Sequence, residues 1–195
     1  MRTIGLIGGM SFESSAVYYR LINEMVRARL GGLSSAELLM YSVNFEEIVA
    51  LQKAGRWDDA AARLGDAAHR LQTAGAECML ICTNTMHLIA PEVAARTSVP
   101  LIHIIDETAA ALKAAGRVKP LLLATRYTME QGFYADRMAC SGVSIMVPGA
   151  EDRSTVHDII FNELCAGIIR SESRQKLIDI IGRAKAEGAD SIILG

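Results

Sequence analysis

Gly75-Ala76-Glu77-Cys78-Met79-Leu80-Ile81-Cys82-Thr83-Asn84-Thr85 packs three structural instructions into a short stretch. Gly75 closes a helical pattern over 56–74, where Trp57, Ala60, Ala61, Leu64, Ala68 and Leu71 recur at three- and four-residue spacing. Residues 77–82 read as a strand that is continuously apolar after Glu77, the mark of a parallel strand covered on both faces. A polar Thr-Asn-Thr loop then leads into a second helical stretch over 86–96. Helix, buried strand, polar loop and helix together spell an α/β fold.

The same alternation runs outward in both directions. Further strands are expected at 3–8, 38–43, 100–105, 119–124, 143–147 and 190–195. Helices are expected at 13–30 before Gly31-Gly32, at 106–115 before Gly116, at 152–169, and at 171–187 before Gly188. The opening stretch also has an echo. Gly188-Ala189-Asp190-Ser191-Ile192-Ile193-Leu194 repeats its order of Gly-Ala, an acid, a small residue and three apolar residues. A weaker echo pairs residues 4–11 with 121–128. The reading is two similar parallel-sheet α/β halves, 1–105 and 106–195, with a cleft between them. The second half is expected to be incomplete, because its copy of the repeat reaches only the strand end at Gly195. Ligands of such sheets bind beyond the carboxyl ends of the strands, which selects the loops at 8–14, 43–52, 82–86 and 124–129.

Composition narrows the class. The 195 residues are 51% hydrophobic and 22% charged, with a net charge of −2, which excludes a disordered chain. The charge balance also excludes the broad basic surface that nucleic acid requires. No apolar run approaches the ~20 residues of a membrane span, and the N-terminus enters a strand without a secretory segment. Cys78, Cys82, Cys140 and Cys165 are scattered, with no Cys-x-x-Cys pair. A cytoplasmic globular protein is expected.

Cys82 is the residue with chemistry in view. A helix N-terminus behind Thr83, Asn84 and Thr85 binds anions and lowers the pKa of a thiol placed there. The alternative is a small buried hydrophobe, the common state of a free cysteine, and Cys78, Cys140 and Cys165 are read that way. Gly5, Gly8 and Gly9 miss the dinucleotide spacing, and the second strand ends in Val43-Asn44 without a ribose-binding acid. The glycine pair instead suits close approach of a small ligand. His69 and His157 are read as solvated helical residues, and His103 is placed in a strand. His87, five residues past Cys82, is expected to be carried away from the thiol. No histidine pair has metal-ligand spacing, so no metal is expected.

Three segments together resemble the aspartate/glutamate racemase family, closest to its broad-specificity amino-acid racemase branch. They are Ile4-Gly-Leu-Ile-Gly-Gly-Met-Ser-Phe-Glu-Ser-Ser15, Cys82-Thr-Asn-Thr-Met-His87 and Thr125-Arg-Tyr-Thr-Met-Glu130. The resemblance implies two pseudo-symmetric α/β domains, a homodimer, no cofactor, and an amino-acid substrate held between the domains. It implies a thiol on each face of the substrate α-carbon, one removing a proton while the other delivers one. By position, Cys82 matches the first of these cysteines. Thr83, Asn84 and Thr85 match the loop that binds the substrate carboxylate. Met10 and Ser11 match the first-strand loop, Gln52 a substrate-contacting glutamine, and Thr125 and Thr128 the Thr-x-x-Thr loop of the second domain. The family's second cysteine belongs in a Gly-Cys-Thr-Glu segment, and the sequence ends at the glycine of that segment, Gly195. Ala124 stands where the family commonly has Gly.

The expectation is therefore a racemase scaffold with one of its two thiols in the chain. The rival expectations are a single-cysteine decarboxylase or lyase of the same superfamily and a non-catalytic amino-acid binding protein.

Overall fold

The computed structural model describes residues 1–195, which fall into two compact units, Met1–His103 and Ile104–Gly195. The first runs β1 (Ile4–Gly8), α1 (Phe12–Leu30), β2 (Leu38–Ser42), α2 (Phe45–Lys53), α3 (Trp57–Thr73), β3 (Cys78–Ile81), a 3₁₀ turn (Thr85–Ile89) and α4 (Ala90–Ala94). Its strands form a parallel sheet in the order β2-β1-β3, with Ile4 opposite both Leu38 and Cys78. The buried face of α3 is largely alanine, with Ala60, Ala61, Ala67 and Ala68 beside Leu64 and Leu71. Small side chains let this helix approach the central strand closely. A methyl group on Gly5 would stand 3.0 Å from the Ala76 side chain and 3.4 Å from that of Leu71. Fully buried Ile7, Leu64 and Met79 complete the layer, each contributing about 1.5–3 kcal/mol by leaving water.

The second unit runs α5 (Ile104–Ala114), β4 (Pro120–Leu123), α6 (Arg126–Glu130), α7 (Phe133–Cys140), α8 (Ala150–Asn162), a 3₁₀ turn (Leu164–Ala166), α9 (Ser171–Ala186) and β5 (Ser191–Leu194). β4 and β5 pair in parallel, Pro120 opposite Ser191. Leu121, Leu122, Tyr134, Met138 and Ile180 are buried in its core. The fold is thus α/β with parallel sheets, as the sequence implies. No helix is long and apolar enough to cross a membrane.

The internal echo has a structural cause. In the first unit the Thr3 amide donates to Glu77 Oε2 (2.8 Å), and the Glu77 amide donates to the Thr3 carbonyl (2.8 Å). In the second unit the Val118 amide donates to Asp190 Oδ2 (2.8 Å), and the Asp190 amide donates to the Lys119 carbonyl (3.0 Å). Each acid of the repeat therefore ties the entry of its own strand to the entry of the neighbouring one. The amides of Val118 and Lys119 and the Ser191 hydroxyl hold the Asp190 carboxyl below the usual carboxylate range.

Several expected boundaries move. The strand expected at 100–105 shrinks to one parallel bridge between Met79 and Leu101, because α5 begins at Ile104 and buries Ile105 in the second unit's core. His103 therefore lies between bridge and helix rather than in a strand, and is buried. The strand expected at 143–147 is likewise one bridge, Met146 beside Leu121. The helix expected at 152–169 ends at Asn162. The loop assigned to 43–52 is mostly helix α2. Asn44 caps it by accepting from the Glu46 amide, and Glu46 and Glu47 sit in the first turn, where acids favour the helix dipole. The loop at 124–129 likewise contains the start of α6.

Candidate active site

Within the first unit, the carboxyl ends of β1 and β3 bring two of the expected segments to one sheet edge. Cys82 is the last residue of its strand path, its amide donating to the Ile7 carbonyl at 2.9 Å. Its side chain is 0% exposed, and burial pushes the thiol up to about 12. This reverses the direction expected from a helix N-terminus. The element that follows is a five-residue 3₁₀ turn beginning at Thr85, so desolvation decides.

The first-strand loop is held by serines. The Gly9 amide donates to Ser15 Oγ (2.8 Å), and Ser15 Oγ donates to the Ser11 carbonyl (3.1 Å), so one hydroxyl pins both ends of Gly9-Met10-Ser11. Ser14 Oγ donates to the Cys82 carbonyl at 3.2 Å and links the first turn of α1 to the end of β3. Met10 and Ser11 are buried. Gly9 has a φ of +91°, and a side chain there would collide with the backbone of Val43. Gly9 thus serves the packing of β1 against the end of β2, and a side chain at Gly8 would stand 2.7 Å from Ser15 Oγ.

Gln52 reaches this region from the last turn of α2. It is 5% exposed, and its Nε2 donates to the Met86 sulfur at 3.0 Å. Its Oε1 is buried without a hydrogen-bond partner. A thioether is a weak acceptor, and an unmet amide oxygen is costly, so the Gln52 amide is poorly satisfied by the protein alone. Thr83 and Asn84 are half-buried and Thr85 is buried. His87 lies in the 3₁₀ turn that follows the loop. Its Nδ1 lies 2.8 Å from the Thr83 carbonyl oxygen, and its ring meets that of His103 edge-on at 4.6 Å.

In the second unit, Thr125 caps α6. Its Oγ1 lies 3.1 Å from Thr128 Oγ1 and accepts from the Thr128 amide at 3.4 Å. Thr128 is buried and Thr125 half-buried. The Arg126 amide donates to His157 Nδ1 at 3.2 Å. His157 is half-buried rather than solvated, and burial with the nearby Arg126 charge lowers its pKa. Sequence reasoning passed over the roles of Ser14, Ser15 and α2. The Asn44-Phe45-Glu46-Glu47 cap was the available signal for α2, whereas nothing local marks a serine as the partner of a strand 68 residues away.

Residues 7–195 match the family model described as Asp/Glu/hydantoin racemase. The chain is similar to the crystal structure of a candidate Asp/Glu racemase from Yersinia pestis, with 48% identity and a TM-score of 0.91 over 100% of this chain and 85% of that one. It is similar to an aspartate racemase homologue from Pyrococcus horikoshii, with 34% identity and a TM-score of 0.84 over 100% and 85% of the two chains. A Picrophilus torridus aspartate racemase shares the fold at 18% identity, with a TM-score of 0.75 over 98% of this chain and 79% of that one. The thiol-bearing strand end, the serine-pinned loop beside it and the threonine-capped turn of the second unit thus lie in a chain that belongs to the Asp/Glu/hydantoin racemase family.

Proposed function

We propose that this protein racemises an acidic amino acid of the aspartate/glutamate type without a cofactor, as a cytoplasmic homodimer, with Cys82 moving the α-proton on one face. The observation that carries the reading is the placement of a fully buried thiol at the carboxyl end of β3, directly before the Thr83-Asn84-Thr85 loop. An α-proton is a weak acid, and the electron pair left behind must spread into the carboxylate as an enediolate. Oriented hydroxyls and amide donors stabilise that charge best in a dry site. In this reading Thr83, Asn84 and Thr85 hold the carboxylate, and Met10, Ser11, Gln52, Thr125 and Thr128 are the remaining substrate-binding residues.

A buried neutral Cys82 is ready to donate a proton. To accept one it must first be a thiolate, and the substrate ammonium entering the same dry site favours that form. The α-carbon–hydrogen bond then breaks, its proton joins the sulfur, and a second acid returns a proton to the opposite face. Phe12, Tyr19, Met25 and Leu30 of α1 expose apolar surface that suits a homodimer.

The test incubates the full-length protein with L- and D-aspartate and glutamate, separately, in deuterated water. Deuterium at the α-position with loss of optical purity is expected, and Cys82→Ser should slow both by about 10²- to 10⁴-fold. Unchanged turnover in that variant removes Cys82 from the mechanism. Release of carbon dioxide selects a decarboxylase, and saturable binding with no exchange selects a binding protein.

A further inference from the structure

Resting on the racemase reading, we propose that His87 is a positioning residue that sets the orientation of the Cys82-Thr83-Asn84-Thr85 loop through the Thr83 carbonyl. The ring is 3% exposed, and Nδ1 stands 2.8 Å from the Thr83 carbonyl oxygen. The His87 backbone amide donates to the next carbonyl, that of Asn84, at 3.0 Å. One residue therefore holds two consecutive peptide units. In a trans peptide the N–H points opposite to the carbonyl of the same unit. Turning the Thr83 and Asn84 carbonyls toward His87 therefore fixes the direction of the Asn84 and Thr85 amides. These are amides of the loop assigned to the substrate carboxylate.

The hydrogen bond also fixes the tautomer. A carbonyl oxygen only accepts, so Nδ1 carries the proton and donates it. His103, itself buried, packs edge-on against the ring at 4.6 Å and an interplanar angle of 66°, which holds the imidazole plane. The device is specific for a donor placed at the position of Nδ1. The amide nitrogen of asparagine lies the same number of bonds from Cα as Nδ1, whereas that of glutamine extends to the reach of Nε2.

Three variants separate the possibilities: His87→Asn, His87→Gln and His87→Leu. The first readout is the rate of iodoacetamide labelling at Cys82, resolved by mass spectrometry, with Cys78 as internal control. Cys78 is also buried and lies four residues upstream on the same strand, so general loosening exposes both. Loss of one buried hydrogen bond is expected to raise Cys82 labelling about tenfold in the Leu and Gln variants, with Cys78 unchanged and the Asn variant within about twofold of wild type. The second readout is KM for the amino acid, which should rise about tenfold in the Leu and Gln variants and recover in the Asn variant. Equal Cys82 labelling in all four proteins, or equal acceleration of Cys78, overturns the role of His87. Absence of α-proton exchange in the wild-type protein overturns the racemase reading instead, and the labelling comparison still decides what His87 does.

Discussion

Ser14 Oγ donates a hydrogen bond of 3.2 Å to the carbonyl oxygen of Cys82, joining the first turn of α1 to the end of β3. With Ser15 gripping Gly9 and Ser11, two adjacent serines hold the two loops that meet at this sheet edge. Ser14→Ala is expected to cost about 1 kcal/mol of stability, the net worth of one partly buried hydrogen bond. Urea unfolding with an unchanged m-value measures it. A loss below about 0.3 kcal/mol would mean that water replaces the serine.

The buried Cys82 thiol makes a prediction about alkaline pH. Its folded pKa, about 12, lies above the ordinary value of 9.0, so folded Cys82 keeps its proton where the unfolded thiol has lost it. The stabilisation from this difference is complete below about pH 9 and is lost as pH rises toward about 12. Tyr134, also pushed up to about 12 by burial, adds loss in the same direction. Cys82→Ala should therefore flatten the decline of stability across this window without abolishing it. In the wild-type protein, Cys82 alkylation should climb with pH and show no plateau near 9. Such a plateau would show that the thiol is not desolvated.

Gln52 carries a stability cost that its site explains. Its Oε1 is buried without a partner, and Nε2 has only the Met86 sulfur. Gln52→Met keeps the volume and removes the unmet oxygen, so stability is expected to hold or to rise by about 1 kcal/mol. Amino-acid affinity should fall at the same time. Thermal unfolding and titration calorimetry read the two effects separately, and a variant that loses stability while keeping affinity would contradict the assignment.

Gly9 should tolerate no side chain. Its φ of +91° and the backbone of Val43 beside it leave no room for a methyl group. Gly9→Ala is expected to destabilise by at least about 2 kcal/mol, measured by denaturant titration. Gly31→Ala, at φ +77° with open space around it, should cost less.

Much of the fold was legible in order. The alternation of buried strands and amphipathic helices is local, and the glycines at positions 75 and 188 end helices where the pattern says they should. The repeated Gly-Ala-acid signature marked two equivalent strand entries, and Glu77 and Asp190 make equivalent bonds there. Helix α2 was legible too, through Asn44 and its acidic first turn, but the expectation that ligand loops follow strands hid it.

The sequence by itself determined the α/β class, the order of its elements, the segments that carry Cys82 and the two threonines, and the family to which they belong. Periodicity, helix stops and strand-end loops depend on neighbours a few residues apart, so they survive in one dimension. Only the tertiary structure decided the state of the thiol, because burial depends on everything packed around it and overrides the helix-terminus argument. It also decided that Ser14, 68 residues away, holds the Cys82 carbonyl. The turn of His87 back onto Thr83 was decided in the same way, because a buried imidazole must find a partner and packing determines which carbonyl is within reach.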